Sequence, residues 1–150
     1  MNICLSKKIT PNVCSSTQLY LLRYVKPSYI VDNEPTDESL QLREDRLPPE
    51  EYLSFFQSTS SVLPERYQDF IKLMKQKEFT MAKTSGIMHI NSEDVESQVN
   101  VPRRLIEIKD CNRPHYGLYF CSEKEEDVIE AKTMLLFLAE FELTRSITSC

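Results

Sequence analysis

The side chains best suited to chemistry are Cys111, His115 and Cys121, spaced Cys-x3-His-x5-Cys, with Cys4, Cys14 and His89 elsewhere in the chain. Thiolates and imidazoles bind zinc, and a thiolate beside an imidazole can act as a nucleophile. The spacing supports neither use. It lacks the Cys-x2-Cys knuckle that lets two thiolates grip one ion, so Cys121 is read as the end of a buried strand and Cys111 and His115 as turn residues. The acid pairs Asp37/Glu38, Glu50/Glu51 and Glu125/Glu126 sit in polar runs, whereas a catalytic carboxylate needs low-dielectric surroundings to shift its pKa. No His-Glu-x-x-His or Gly-x-Ser-x-Gly signature occurs. Glycine appears only twice, at Gly86 and Gly117, which excludes loops that cradle phosphate on closely spaced glycines. The expectation is a protein that is not an enzyme, with no cofactor and no metal.

Two patterns point to binding instead. Met134 to Ala139 is a run of six apolar residues, followed by Phe141 and Leu143, and it covers every side of a helix where a helix on a sheet needs only a stripe. At about 100° per residue, Val128, Ala131, Leu135 and Leu138 form one line, and Met134, Phe137 and Phe141 form another. The first line is assigned to the sheet and the second to a protein partner or a second copy of the chain. An intracellular adaptor or complex subunit is therefore the leading functional expectation.

The alternative is nucleic acid. Lys72, Lys75, Lys77, Lys83, Arg103, Arg104 and Arg113 are read as one basic face beside exposed rings at Tyr116 and Tyr119, a platform of stacking rings and phosphate-binding cations. The hairpin and helix at the carboxyl end resemble the final third of a KH-type RNA-binding domain, and equally the end of a pleckstrin-like barrel. The first resemblance implies RNA binding, but the Gly-x-x-Gly loop with which a KH domain grips the nucleic-acid backbone is absent.

Composition bounds these readings. The chain has 150 residues, 41% of them hydrophobic and 27% charged, which suits one domain with its own core. No apolar run approaches the roughly 20 residues that span a bilayer, so no membrane contact is expected. The net charge of −5 alternates along the chain: residues 1–31 carry four bases and no acid, 32–51 eight acids against two arginines, 66–90 five bases against two acids, and 122–150 seven acids against three bases. Bulk charge therefore does not hold this protein to polyphosphate. Five cysteines and no apolar signal core near the amino terminus predict free thiols and a cytoplasmic or nuclear location.

The elements that must position these residues are read from periodicity. Leu19–Val25 predicts a central strand covered on both faces, and Tyr29–Val31 an edge strand after Pro27. Residues 32–47 predict a mobile acidic loop. Pro48-Pro49-Glu50-Glu51 is a helix-start signal, predicting a short helix over Tyr52–Phe56. Pro64-Glu65 opens a second helix with Tyr67, Phe70, Ile71 and Met74 on one stripe. Ile87–Ile90 predicts a strand and 92–99 a polar turn or loop. Arg104–Lys109 and Tyr116–Cys121 predict a hairpin, and Ser122 with Glu125 a capping box for a helix running to about Leu143. The predicted class is α+β, a single sheet of about five mostly antiparallel strands with helices on one face and a long carboxyl-terminal helix.

Overall fold

The structure is a computed structural model, and it describes residues 18–45, 47–60 and 62–148. It is an α+β fold built on six antiparallel strands: β1 (Tyr20–Val25), β4 (Leu53–Ser58), β5 (Gly86–Asn91), β6 (Ile106–Asn112), β7 (His115–Phe120) and β8 (Glu140–Leu143). Their order across the sheet is β6-β7-β4-β1-β5-β8, so β1 is central. A separate two-stranded ribbon joins β2 (Ile30–Val31) to β3 (Glu34–Pro35). Among the described residues no helix is long and apolar enough to cross a membrane.

Helices cover both faces, where one was expected. Helix α1 (Leu63–Gln76) and the short carboxyl-terminal α4 (Thr144–Thr148) lie on one side. There Leu22 and Ile87 pack against Tyr67, Phe70, Met74 and Ile147. On the other side Leu21, Val25, Phe55, Met88, Ile90 and Leu118 pack with Ala131 and Leu135 of α3 (Glu125–Leu138). Also on that side lie α2 (Ser92–Asp94) and the wider turn Val95–Val99 that continues it. The adjacent leucines 21 and 22 point to opposite faces, as period-2 geometry requires. Both faces are apolar because both are covered.

Residues 53–56 are strand, not helix. Leu53 and Phe55 are buried in the α3-side core while Ser54 and Phe56 face the other way. That alternation overrides the Pro-Pro-Glu-Glu signal, since the two prolines and two acids precede the strand without entering it. The edge strand expected at 29–31 is only the first half of the β2–β3 ribbon, after a 3₁₀ turn at Pro27–Tyr29.

The acidic segment also carries structure. A 3₁₀ turn at Asp37–Leu40 buries Leu40 to 0% exposure. The half-buried Arg23 guanidinium clamps it by donating to Ser39 O at 2.9 Å and to Ser54 O at 3.0 Å. Desolvation pulls Arg23 down to about 10, against the opposing pull of Glu50 and Tyr29. Lys132 of α3 donates to Gln41 Oε1 at 2.6 Å, so the segment is tied to the helix as well as to the sheet.

Helix α3, which the sequence predicts to run from the Ser122 cap to about Leu143, is shorter at both ends. Lys124 is the N-cap, and Ser122 instead accepts from Lys124 N and donates to Asp127. At the other end Ala139 is extended, with φ −72° and ψ 145°, and Glu140–Leu143 become β8 against β5. Phe141 is therefore a strand residue. A Cβ on Gly86 would lie 2.2 Å from Phe141 Cζ, so the ring closes over the glycine on the α3 side.

Candidate functional site

Helix α1 leaves part of its side of the sheet open. Residues at alternate positions of β4, β7 and β6 point to that side, and strand register brings their rings together. Phe56 pairs with His115 and Ser54 with Gly117, while Gly117 pairs in turn with Lys109. The His115 ring stacks on Phe56 with centroids 5.0 Å apart and planes 20° from parallel. Tyr52 lies 5.7 Å from His115 and 5.0 Å from Tyr119. The four rings make one continuous run, Phe56-His115-Tyr52-Tyr119.

Gly117 is what lets Tyr52 lie down on the strand. A Cβ there would sit 2.7 Å from Tyr52 Cδ1 and 2.9 Å from Cγ, distances at which the ring must lift. An isolated glycine inside a strand often marks such a close approach.

A lysine closes each end of the run. Lys77 Nζ stands 5.4 Å from the Phe56 centroid and Lys109 Nζ 4.5 Å from that of Tyr119. Ring quadrupoles attract cations in this arrangement. Lys72 of α1 lines, together with Phe56, the cleft between α1 and β4. Among the described residues, Lys72, Lys77 and Lys109 form no ion pair with a carboxylate.

The rings are uncharged at neutral pH. Burial, then the Cys111 thiol, push Tyr119 up to about 12 and raise Tyr52, with Glu50 and Glu51 adding to the rise at Tyr52. Burial, then Lys77, lower His115, and its Nε2 lies 3.1 Å from Ser54 Oγ. The site thus sets four half-buried, neutral rings between two lysines.

Only some of the residues singled out from the sequence meet here. Tyr119 and Lys77 do, and Lys72 lies beside Phe56. Tyr116 does not: it is 4% exposed and points with Leu118 into the α3-side core, because strand alternation places 116, 118 and 120 opposite 115, 117 and 119. Arg103 pairs with Asp127 and Glu130, and Arg104 with Glu96 and Glu107, so Arg103 serves α3 and Arg104 the turn Val95–Val99 and the start of β6. Arg113 pairs with Asp110. Lys75 lies seven residues from Gln68, whose amide donates to Ile147 O, placing it on the flank of α1 towards α4. The single basic face is not formed. Tyr52, Phe56, His115 and Lys109 are not assigned to this site from sequence; an isolated glycine within a strand pattern, Gly117, is the signal that could have pointed to it.

The Met134, Phe137 and Phe141 line is not formed either. Phe141 has left the helix, Met134 and Phe141 pack on the α3-side core, and Phe137 alone is 80% exposed. Among the cysteines Cys111 is free, but Cys121 is disulfide-bonded, which corrects the expectation of five free thiols. An odd count requires one thiol to stay free; it does not forbid pairs among the rest. The bond also removes Cys121 from any zinc or nucleophile arrangement with Cys111 and His115. Cys4, Cys14 and Cys150 lie outside the described residues.

A second cluster is sealed beneath α1. His89 is 6% exposed, its Nε2 is 3.3 Å from Arg66 Nη1, and its Nδ1 has no hydrogen-bond partner. Arg66 lies over Tyr20 at 3.6 Å, and Tyr20 and Tyr67 flank the imidazole. Glu140 and Glu142 on β8 add to the burial that holds the Tyr67 phenol well above its ordinary value. Burial, then Arg66, lower His89 from its ordinary 6.5 to about 4.

The unfolded chain therefore takes up a proton at His89 near pH 6.5, and the folded one only near pH 4. Stability from this group is complete above pH 6.5 and is lost as pH falls through that window. Between pH 7 and pH 5 the loss is expected to be on the order of 1 to 2 kcal/mol, with solvent screening allowed for. Urea unfolding at the two pH values should show it, and His89→Phe should flatten the dependence. An unchanged slope in that variant would assign the acid sensitivity elsewhere.

No protein-family model, curated protein or solved structure matches the chain.

Proposed function

We propose that this protein is a non-enzymatic binding module that holds single-stranded nucleic acid on the ring platform of β4, β7 and β6. One observation carries the reading: four rings, stacked or tilted against one another, form a continuous run over β4 and β7, with a lysine at each end that forms no ion pair with a described carboxylate. Unstacked bases offer π-faces to such rings, and phosphates offer charge to the lysines. The overall charge of −5 supplies no bulk attraction to phosphate, so any phosphate contact rests on these lysines.

Binding of a fluorescein-labelled RNA 12-mer, followed by anisotropy over a salt series, tests it. About three phosphates neutralised on a single strand give a slope of log K against log salt near −2. Replacing Lys72, Lys77 and Lys109 together by alanine should bring that slope close to zero while stacking leaves weak residual binding. A wild-type chain that shows no binding at 50 mM salt would sink the proposal.

A protein partner is the second reading, favoured by the 80% exposed Phe137 with Ile129 two turns earlier, also exposed. Phe137→Glu should abolish co-purification of such a partner and leave the RNA titration unchanged. A partner retained by that variant would dismiss this reading.

A further inference from the structure

Behind the platform, between α1 and β4, is a cleft of about 220 Å³. That is smaller than the ~300–1,000 Å³ of clefts that hold drug-sized ligands, and it suits a single flat ring system. Phe56, Phe70 and Leu73 wall it, and Asp69, Lys72 and Gln76 supply its polar groups. Phe56 belongs to both sites: its ring stacks on His115 and also lines the cleft. Pro114, beside His115 in the β6–β7 turn, lines it too. A strand lying on the rings therefore passes the mouth of the cleft.

We infer that the cleft takes one nucleobase of that strand and prefers a base with an exocyclic amino group, an inference that rests on the platform reading above. The selecting group is Asp69. Its Oδ2 accepts from Ser58 Oγ at 3.1 Å, which orients the carboxylate and leaves Oδ1 to accept a further hydrogen bond. The amino group of cytosine or adenine donates to it; uracil and thymine place a carbonyl oxygen at the same position, which the carboxylate repels. The Gln76 amide carries both a donor and an acceptor and serves either class. Lys72 meets the adjoining phosphate.

The test compares fluorescein-labelled oligo(C) and oligo(U) of equal length, whose phosphate contacts are the same. The wild-type chain is expected to bind oligo(C) about tenfold or more tightly than oligo(U), the discrimination that one well-placed base contact supplies. Asp69→Asn keeps an acceptor for Ser58 and adds a donor towards the base, so it should raise oligo(U) binding and erase most of the preference. Equal binding of the two oligomers by the wild type, or a preference unchanged in Asp69→Asn, overturns the cleft inference while the platform reading stands. Binding of neither oligomer overturns both.

Discussion

Replacing Tyr52 and Tyr119 together by alanine is expected to weaken single-stranded RNA binding by about 100-fold or more. Each stacked base is worth about 1–3 kcal/mol by alanine substitution, and each 1.4 kcal/mol is tenfold. The two rings are central and terminal in the run, 5.0 Å apart, so removing both leaves only the Phe56–His115 stack. The variant should fold as the wild type does, because neither ring is in the buried core. Anisotropy titrations beside a thermal melt separate the outcomes. Wild-type affinity in a folded double variant would show that the rings are a surface without a ligand. Phe137→Ala is the control and should leave the titration unchanged.

Phe55→Ala is expected to cost about 3–5 kcal/mol of folding free energy, the range for deleting a buried ring. Phe55 is 0% exposed, pairs with Tyr116 across β4 and β7, and belongs to the same core cluster as Leu21 and Leu118. Arg23 lies 5.8 Å over its ring, so the cavity would also leave the guanidinium less well packed. Against a total of about 5–15 kcal/mol for a domain, the variant should unfold at much lower urea concentration with a similar slope. Phe56→Ala, one residue on, points to the other face and should cost less stability and more RNA affinity. Equal stability losses at 55 and 56 would contradict the strand and restore a helix at this segment.

Much of the fold was legible because several segments carry one period throughout. Leu19–Val25, the stripe Tyr67-Phe70-Ile71-Met74 and the hairpin over 104–121 read as they fold, with ends shifted by a residue or two. Where two signals conflict, tertiary packing decides. Pro48-Pro49-Glu50-Glu51 announces a helix, yet Leu53 and Phe55 have a sheet face to fill, and the strand wins. Glu140-Phe141-Glu142-Leu143 alternates visibly, but the apolar run before it conceals the change of period at Ala139. The platform was harder to read, because rings at 52, 56, 115 and 119 become neighbours only through strand register. Arg103 and Arg104 mislead for the opposite reason, since a cation's availability depends on the carboxylate that the fold brings to it.

The strand order has a consequence for how the chain reaches this state. Of the five pairings in the six-stranded sheet only β6–β7 is local; Tyr20 must find both Ser58 and Asn91, and Gly86 must find Leu143. Each of these closures spends chain entropy before any contact repays it, and such topologies fold in milliseconds to seconds where helical bundles take microseconds to milliseconds. The platform straddles this divide. His115, Tyr119 and Lys109 sit on the hairpin that closes early, while Tyr52 and Phe56 arrive with β4, so the ring run is complete only after a non-local pairing has formed.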